Sequence, residues 1–217
     1  MGQIKFTPLQ EQIFGRVATD IVPIHPFYFT GGTALAVFYF GHRDSDDLDF
    51  FSDTPFEIAP IAEILKSYAK QNSFLLRQVG EDRVYFFEMY KDNIQQIKVD
   101  FACYPHPKIE TRKKINGIEI DSLRDIGINK LHTITSRTEV KDFVDLYFLL
   151  QKFTFWDLFY GLEVKFGIEY DLLTFAQDFT KVEEFTYLPK MHVPLTLEEL
   201  KAFFLSQAKK VSARVVK

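Results

Sequence analysis

The stretch GGTALAVFYFGHRDSDDLDFF, residues 31–51, decides how this chain folds. It opens with two glycines, continues through an apolar segment of helical character, and ends in an aromatic strand that carries Asp47 and Asp49. Residues two apart in a strand point to one face, so the two carboxylates project together while Leu48 and Phe50 enter the core. Adjacent carboxylates repel each other unless a cation lies between them, and hard divalent cations take oxygen ligands. The stretch therefore predicts a metal site on a strand, and a solvated acidic loop before an edge strand is the alternative.

The glycines at the start of the stretch predict a phosphate-binding turn. Gly31, Gly32 and Thr33 precede the apolar segment, and glycine lets the backbone approach a phosphate closely. A helix start adds free N–H groups and a favourable dipole for an anion. With Asp47 and Asp49 following about 15 residues later, the turn predicts a site for a metal-bound triphosphate.

A third carboxylate is expected beside this pair. Residues 84–90 and 94–104 predict two strands joined by a short hairpin, and Asp100 alternates with apolar residues in the second strand. Three carboxylates suffice for phosphoryl chemistry with two metal ions, in which the third acid helps to deprotonate the acceptor hydroxyl. A salt bridge from Asp100 to Lys98 or to a nearby arginine is the alternative.

The periodicity of the apolar residues predicts an α+β fold in two parts. Residues 1–121 are predicted to form strands flanked by helices, and residues 122–217 are predicted to form a helical region packed on that first part. Gly41 is expected to end a helix in the left-handed conformation, and Thr196 and Glu199 fit a capping box. The other predicted elements are helices over 8–19, 33–40, 60–71, 122–137 and 139–153, one after Thr154, one after Thr196, and a strand over 43–51.

Composition favours a cytoplasmic protein. The single cysteine of the 217 residues cannot form an internal disulfide, and the first residues, MGQIKFTPLQ, lack the apolar core of a secretion signal. No apolar run reaches the roughly 18 residues that a membrane-spanning helix needs. The formal net charge of −4 argues against a general nucleic-acid binder but not against a local basic groove.

Basic residues after the Asp100 strand and near the C-terminus predict a path for an RNA backbone, with a solvated basic loop as the alternative. These residues are Lys108, Arg112, Lys113, Lys114, Arg124, Lys209, Lys210, Arg214 and Lys217.

Several motifs together resemble those of the AbiEii/AbiGii toxin nucleotidyltransferases, within the DNA polymerase β-like superfamily. The motifs are GGTAL, GHRxSxDLDFF, KVDF and a late K-x6-R-x3-KDxxDLYFLL that begins at Lys130, and they cover roughly residues 25–153. The resemblance implies a small mixed sheet that bears the acids and a helical bundle that closes the nucleotide cleft. It implies phosphate contacts from Gly31, Gly32 and Thr33, Mg²⁺ (or Mn²⁺) ligation by Asp47 and Asp49, a site lined by Arg43 and Ser45, neutralisation of the triphosphate by Lys130, and a contribution from Asp142.

The resemblance also implies the reaction. A nucleoside monophosphate would pass from an NTP to a hydroxyl acceptor with release of pyrophosphate. The acceptor would be an RNA 3′ end such as that of tRNA, or a protein, and the biological role that of a toxin in a toxin–antitoxin or phage-defence system with a cognate antitoxin. Two alternatives stay open, a catalytically idle member that binds nucleotide or a partner, and a metal-dependent phosphodiesterase that uses the same acids.

Overall fold

A seven-stranded mixed sheet and eight α-helices make up residues 5–215, the part of the chain that the computed structural model describes. The helices are α1 (Pro8–Arg16), α2 (Gly31–Ala34), α3 (Ile58–Gln71), α4 (Leu123–Ser136), α5 (Val140–Leu149), α6 (Phe155–Phe166), α7 (Leu172–Thr180) and α8 (Leu197–Val215). The strands are β1 (Tyr28–Thr30), β2 (Leu48–Ser52), β3 (Leu75–Glu81), β4 (Val84–Lys91), β5 (Ile94–Cys103), β6 (Lys113–Ile115) and β7 (Ile118–Ile120). The first four residues of the N-terminal segment examined for a secretion signal, and Lys217, lie outside the described residues.

The chain folds as two compact units, and the division between residues 1–121 and 122–217 stays a prediction. The first, called here the sheet unit, contains the described residues of Met1–Val37 together with Ser45–Pro107 and Thr111–Asp121. The second, called here the helical unit, contains Phe38–Asp44, Lys108–Glu110 and the described residues of Ser122–Lys217.

The strands of the sheet unit lie in the order β3-β4-β5-β2-β1-β7-β6. Strand β2 pairs in parallel with β5 and antiparallel with β1, and β1 pairs in parallel with β7. The outer pairs are antiparallel. The predicted α+β class with a small mixed sheet is therefore confirmed.

Three adjacent phenylalanines fix the register at the centre of this sheet. Phe29, Phe50 and Phe101 stand side by side on β1, β2 and β5, and all three are fully buried. Their ring centroids are 5.1 Å and 5.5 Å apart along the row. Burial of each ring contributes roughly 1.5–3 kcal/mol, and a slip of one residue would turn the ring to the opposite face. The residue that follows each phenylalanine therefore faces away from this core.

The strand predicted over 43–51 is wrong at its start. Strand β2 begins only at Leu48, and Arg43 takes part in one isolated bridge with Met191. The segment between them is held by side chains instead, because the amide of Gln10 donates hydrogen bonds to the carbonyls of Ser45 and Asp46. A backbone fixed in this way does not need a partner strand.

The helical unit is built around phenylalanines from several helices. Phe143 of α5 packs against Phe204 of α8 and against Phe185, with both pairs of ring centroids 5.0 Å apart. Gly161 of α6 allows that helix to approach α4, because a Cβ there would lie 2.3 Å from Cδ1 of Ile128. The capping box of Thr196 is confirmed. Gly41 (φ +58°) is left-handed as predicted and follows Leu35–Phe40, a π-helical continuation of α2.

Within residues 5–215, no helix combines the length and the apolar character that are needed to span a membrane.

Candidate active site

The sheet unit brings two of the predicted acids together on one face. Asp49 and Asp100 directly precede the core residues Phe50 and Phe101, so they face away from that core, and they stand opposite each other on the parallel strands β2 and β5. Neighbouring strands lie about 4.8 Å apart, so the two carboxylates are close neighbours. The alternation extends to Asp47 just before β2, since Leu48 is fully buried while Asp47 and Asp49 are both half-buried.

Gly31 lies directly against the second of these acids. Its φ is +77°, a conformation that favours glycine, and a Cβ at this position would lie 2.0 Å from Oδ2 and 2.8 Å from Cγ of Asp49. The side chain that glycine lacks would therefore occupy the space of the carboxylate. The glycine turn and the acidic strand form one arrangement, as the spacing of the motif predicts.

The loop between the turn and the strand is fixed by buried hydrogen bonds. The hydroxyl of Thr33, which is 1 % exposed, contacts the carbonyl of Asp47 and lies 2.9 Å from the hydroxyl of Ser45. On the other side of the loop, the Gln10 amide holds the carbonyls of Ser45 and Asp46 at 2.8 Å and 3.2 Å. Sequence reasoning missed Gln10, because a glutamine on an amphipathic helix normally faces water.

The alternative considered for Asp100 also forms. Nζ of Lys98 donates to Oδ2 of Asp100 at 2.6 Å and lies 4.2 Å from the centroid of the Phe86 ring. Across residues 5–215, no group of three His, Cys, Asp or Glu side chains is placed to hold one metal ion. The assignment of Asp47, Asp49 and Asp100 as a metal-binding set stays a prediction.

The chemistry of the acids fits a hard divalent cation all the same. Asp49 and Asp100 supply carboxylate oxygens from adjacent strands, and Mg²⁺ prefers one or two carboxylates together with phosphate oxygens. The missing side chain of Gly31 keeps the backbone close to Asp49, where a phosphate group would share the cation. These residues could hold Mg²⁺ or Mn²⁺.

The helical unit contains a buried ion cluster centred on Asp145. Its carboxylate accepts two hydrogen bonds from Arg43, at 2.7 Å and 2.8 Å, and contacts Nζ of Lys130 at 2.6 Å. Nε2 of His42 lies 2.8 Å from the same carboxylate. Asp145 and His42 are fully buried, and Arg43 and Lys130 are 3 % and 7 % exposed. No residue of this group faces open solvent.

Asp142 extends the cluster by one helical turn. Lys130 donates to it at 2.7 Å, and Arg137 donates two hydrogen bonds at 2.7 Å and 3.1 Å. The buried ion cluster consists of His42, Arg43, Lys130, Asp142 and Asp145. With His42 neutral, its two carboxylates balance its two cations, and Arg137, whose side chain is 49 % exposed, adds a positive charge at the surface.

Burial and pairing act in opposite directions on the carboxylates of this cluster. Burial alone raises the pKa of Asp145, but the charges of Lys130 and Arg43 lower this pKa well below its ordinary value. The pKa of Asp142 is also lowered, because Lys130 and Arg137 outweigh its burial. Burial lowers the pKa of His42, so this side chain is neutral at pH 7, with its proton on Nε2 toward Asp145.

The predicted site residues therefore belong to both units. Gly31, Gly32, Thr33, Ser45, Asp47, Asp49 and Asp100 lie in the sheet unit, and Arg43, Lys130 and Asp142 lie in the helical unit. In the helical unit the ammonium of Lys130 already has two carboxylate partners. The roles assigned to all these residues stay predictions.

Sequence reasoning missed Asp145 and His42 as members of a buried cluster. Asp145 lies three residues after Asp142, so the two share a helix face, but mixed charges on a helix are also typical of a solvated surface. Asp145 follows from the spacing only if the helix is known to be buried. His42 stands next to Arg43 in the motif, and the spacing of the motif does not show that its imidazole is buried.

The prediction that Arg112 belongs to the basic path is wrong, because the structure buries this residue. It is 8 % exposed, its guanidinium donates to both oxygens of Asp53 at 2.6 Å and 2.8 Å, and it lies 3.3 Å from the centroid of the Tyr28 ring. Asp121 lies 3.4 Å away on its other side. Arg112 therefore ties strands together instead of contacting solvent.

Comparison with known proteins decides the family. Residues 19–210 match the family model described as "Nucleotidyl transferase AbiEii toxin, Type IV TA system". The chain belongs to this AbiEii family. The resemblance inferred from the motifs is therefore confirmed, and the match extends beyond residue 153, where the motifs end.

One relative in sequence and two solved structures are similar to this AbiEii family member. An uncharacterized protein of Aquifex aeolicus, aq_aa25, is 38 % identical over 141 residues, 61 % of each chain, so the match spans about three fifths of that relative. JHP933 from Helicobacter pylori is similar in structure, with a TM-score of 0.56, 21 % identity and coverage of 97 % and 94 % of the two chains. The nucleotidyltransferase toxin MenT4 from Mycobacterium tuberculosis has a TM-score of 0.56, 13 % identity and coverage of 94 % and 83 %. At these identities the structural likeness shows the shared fold.

Proposed function

We propose that the protein transfers a nucleoside monophosphate from an NTP to a hydroxyl acceptor and releases pyrophosphate, with Mg²⁺ or Mn²⁺ as the cofactor. The observation that carries this proposal is the packing of Gly31 against Asp49, beside Asp100, in a chain of the AbiEii family. A glycine turn in contact with an acidic strand suits a triphosphate and its cation better than it suits a solvated acidic loop.

Asp47 and Asp49 would hold the cation, and Asp100 would assist from the neighbouring strand. When bound, the cation neutralises phosphate charge and polarises the α-phosphate. The acceptor oxygen attacks the α-phosphorus, the bond to the pyrophosphate oxygen breaks, and Asp100 takes the hydroxyl proton of the acceptor. The carboxylates stay fixed on strands, so positioning and electrostatics supply most of the catalysis.

For the helical unit we propose the roles that the family resemblance implies. Lys130 would neutralise charge on the triphosphate, Arg43 would line the site, and Asp142 would complete it. The buried contacts suggest a second role, in which Asp142 and Asp145 hold Lys130 and Arg43 in place. The cluster is thus proposed to position the charge that the reaction requires.

We propose an RNA 3′ end, such as that of tRNA, as the acceptor, with a protein hydroxyl as the second candidate. The exposed Lys113 and Lys114 support a local RNA contact, whereas the net charge of −4 and the buried Arg112 limit its extent. We infer a cytoplasmic toxin of a toxin–antitoxin or phage-defence system, with a cognate antitoxin as partner.

The test is label transfer from each of the four α-labelled NTPs, with Mg²⁺, into total bacterial RNA and lysate protein. The expected result is one labelled RNA or protein band that depends on Mg²⁺ and disappears with the double variant Asp47→Asn/Asp49→Asn. The band identifies the acceptor, and the effective NTP identifies the donor. NTP binding without any labelled band would instead support the catalytically idle alternative.

Replacing Gly31 with Ala should separate the site from the fold. The new Cβ must displace the Asp49 carboxylate, so transfer should fall by about 10²-fold, since a misplacement near 1 Å has that cost. The unfavourable φ should lower the free energy of unfolding by only about 1–2 kcal/mol. Transfer assays and urea titration measure the two effects.

Gly15→Ala in α1 is the matched control for this prediction. No atom lies within 4 Å of a Cβ at that position, and alanine favours the helix by about 1 kcal/mol over glycine. This variant should keep full activity and gain stability. Full activity in Gly31→Ala would show that the position of the Asp49 carboxylate does not matter.

A further inference from the structure

Helices α6 and α7 and the segment between them leave a large apolar surface open to solvent. Tyr160 and Val164 lie four residues apart on one stripe of α6, and Ile168 and Leu173 follow toward α7. The four side chains are 64 %, 67 %, 54 % and 50 % exposed, and they are four of the ten large apolar side chains exposed within residues 5–215. Single exposed apolar residues are routine, but a concentration of them marks an interaction site.

A groove of about 600 Å³ opens beside this stripe. Its apolar wall consists of Phe159, Tyr160, Tyr170 and Leu172, and the rings of Phe159 and Tyr160 are 5.9 Å apart. The hydroxyl of Tyr170 lies 2.9 Å from Nδ1 of His132, which fixes the orientation of that ring. The groove is therefore preformed and of a size typical of binding sites.

The remaining lining residues are all acidic. Glu163, Glu169 and Asp171 line the groove, and neither lysine nor arginine is among its lining residues. Asp171 caps α7 by accepting the N–H of Leu173 at 2.9 Å. Three carboxylates beside exposed aromatic rings attract cationic side chains and repel the phosphates of a nucleic acid.

We propose that this groove docks a basic amphipathic segment of a partner protein. Its apolar side chains would pack on the wall formed by Tyr160 and Leu172, and its lysines or arginines would pair with Glu163 and Glu169. The faces of Tyr160 and Tyr170 add cation–π attraction for the same side chains. The apolar stripe continues past the groove, so the occupant is longer than a small molecule, as in helix-in-groove recognition.

The fluorescence of Trp156 allows a direct test of this proposal. Trp156 is the single tryptophan of the sequence, and its ring centroid lies 5.9 Å from that of Tyr160 and 5.8 Å from that of Phe159. A peptide that enters the groove should therefore shift the emission of Trp156. Three synthetic helical peptides of equal length serve as probes: one of leucine and lysine, one of leucine and glutamate, and one in which serine replaces leucine beside lysine.

Two charge-reversal variants give the matched comparison. Glu163→Lys/Glu169→Lys changes the groove, and Glu183→Lys/Glu184→Lys makes the same charge change at exposed positions outside its lining. The Leu/Lys peptide should bind the wild-type chain and the second variant alike, and bind the first variant at least about tenfold more weakly. The other two peptides should bind weakly to all three proteins. Nucleotide transfer should be unchanged in both variants.

Several results would overturn the proposal. Equal binding of the Leu/Lys peptide to both variants, or equal affinity for the Ser/Lys peptide, would reduce the effect to general charge attraction. Preference for a single-stranded RNA oligonucleotide, lost with Tyr160→Ala, would assign the groove to nucleic acid. Self-association of the chain in sedimentation experiments, abolished by Glu163→Lys/Glu169→Lys, would make a second copy the occupant.

Discussion

Replacing Asp49 with Asn is expected to lower nucleotide transfer by about 10³-fold or more while the protein stays folded. The amide keeps the shape of the side chain but loses the charge that a divalent cation requires. Loss of the negative charge at position 49 also relieves repulsion with Asp100, which stands opposite on the neighbouring strand. The free energy of unfolding should therefore change by less than about 1 kcal/mol. Transfer assays at saturating Mg²⁺, together with thermal unfolding, measure both quantities.

Asp46→Asn supplies the control for this prediction. Asp46 lies in the same loop and is exposed, and its contact with Gln10 uses only the backbone carbonyl. This variant should retain transfer within about twofold of the wild-type rate, because a surface charge outside the site has little effect on catalysis. Equal losses in both variants would point to the general charge of the loop, and full activity in Asp49→Asn would remove Asp49 from the site.

Asp145→Asn is expected to have the largest effect on stability. The change leaves the cations of Arg43 and Lys130 with less compensating charge, and water cannot replace it because Arg43 is only 3 % exposed. Removing one partner of a buried ion pair costs about 3–5 kcal/mol. In a chain of this length that loss corresponds to a decrease in Tm of roughly 6–20 °C. Differential scanning calorimetry at pH 7 measures it.

The stability that Asp145 contributes should depend on pH in a defined direction. The lowered pKa of Asp145 means that its contribution is fully present above the unfolded value of about 3.9, and is lost as the pH falls through the folded value. Wild-type Tm should therefore decrease steeply below about pH 4, and the Asp145→Asn variant should show a shallower decrease. Asp20→Asn, which breaks the exposed pair with Arg16, should cost less than about 1 kcal/mol. Equal stability losses in the two variants would contradict the role of the buried ion cluster.

The sequence predicts strand β5 well because local physics and tertiary packing agree there. Alternation in β5 places Val99 and Phe101 in the core, and the structure buries both completely. The conformation of Gly41 was also predictable, since a helix end with positive φ favours glycine. Where the local pattern had only one reasonable interpretation, the prediction agreed with the structure.

Other features depend on contacts between residues distant in sequence. β1 has only three residues, and β3 lacks the alternation that marks a half-buried strand, so neither was predicted. α7 lies in a region whose helices were located only by their start signals. The partners of Asp145 include residues about 100 positions earlier in the chain, and no periodicity reveals such a pairing.

The catalytic claim has one direct test, the stoichiometry of the reaction with α- and γ-labelled forms of the effective NTP. We expect each α-phosphate attached to the acceptor to be matched by one labelled pyrophosphate, only in the presence of Mg²⁺ or Mn²⁺, and we expect neither product with Asp49→Asn. Pyrophosphate without attached label, label released as free nucleotide, or transfer that persists in Asp49→Asn would contradict it.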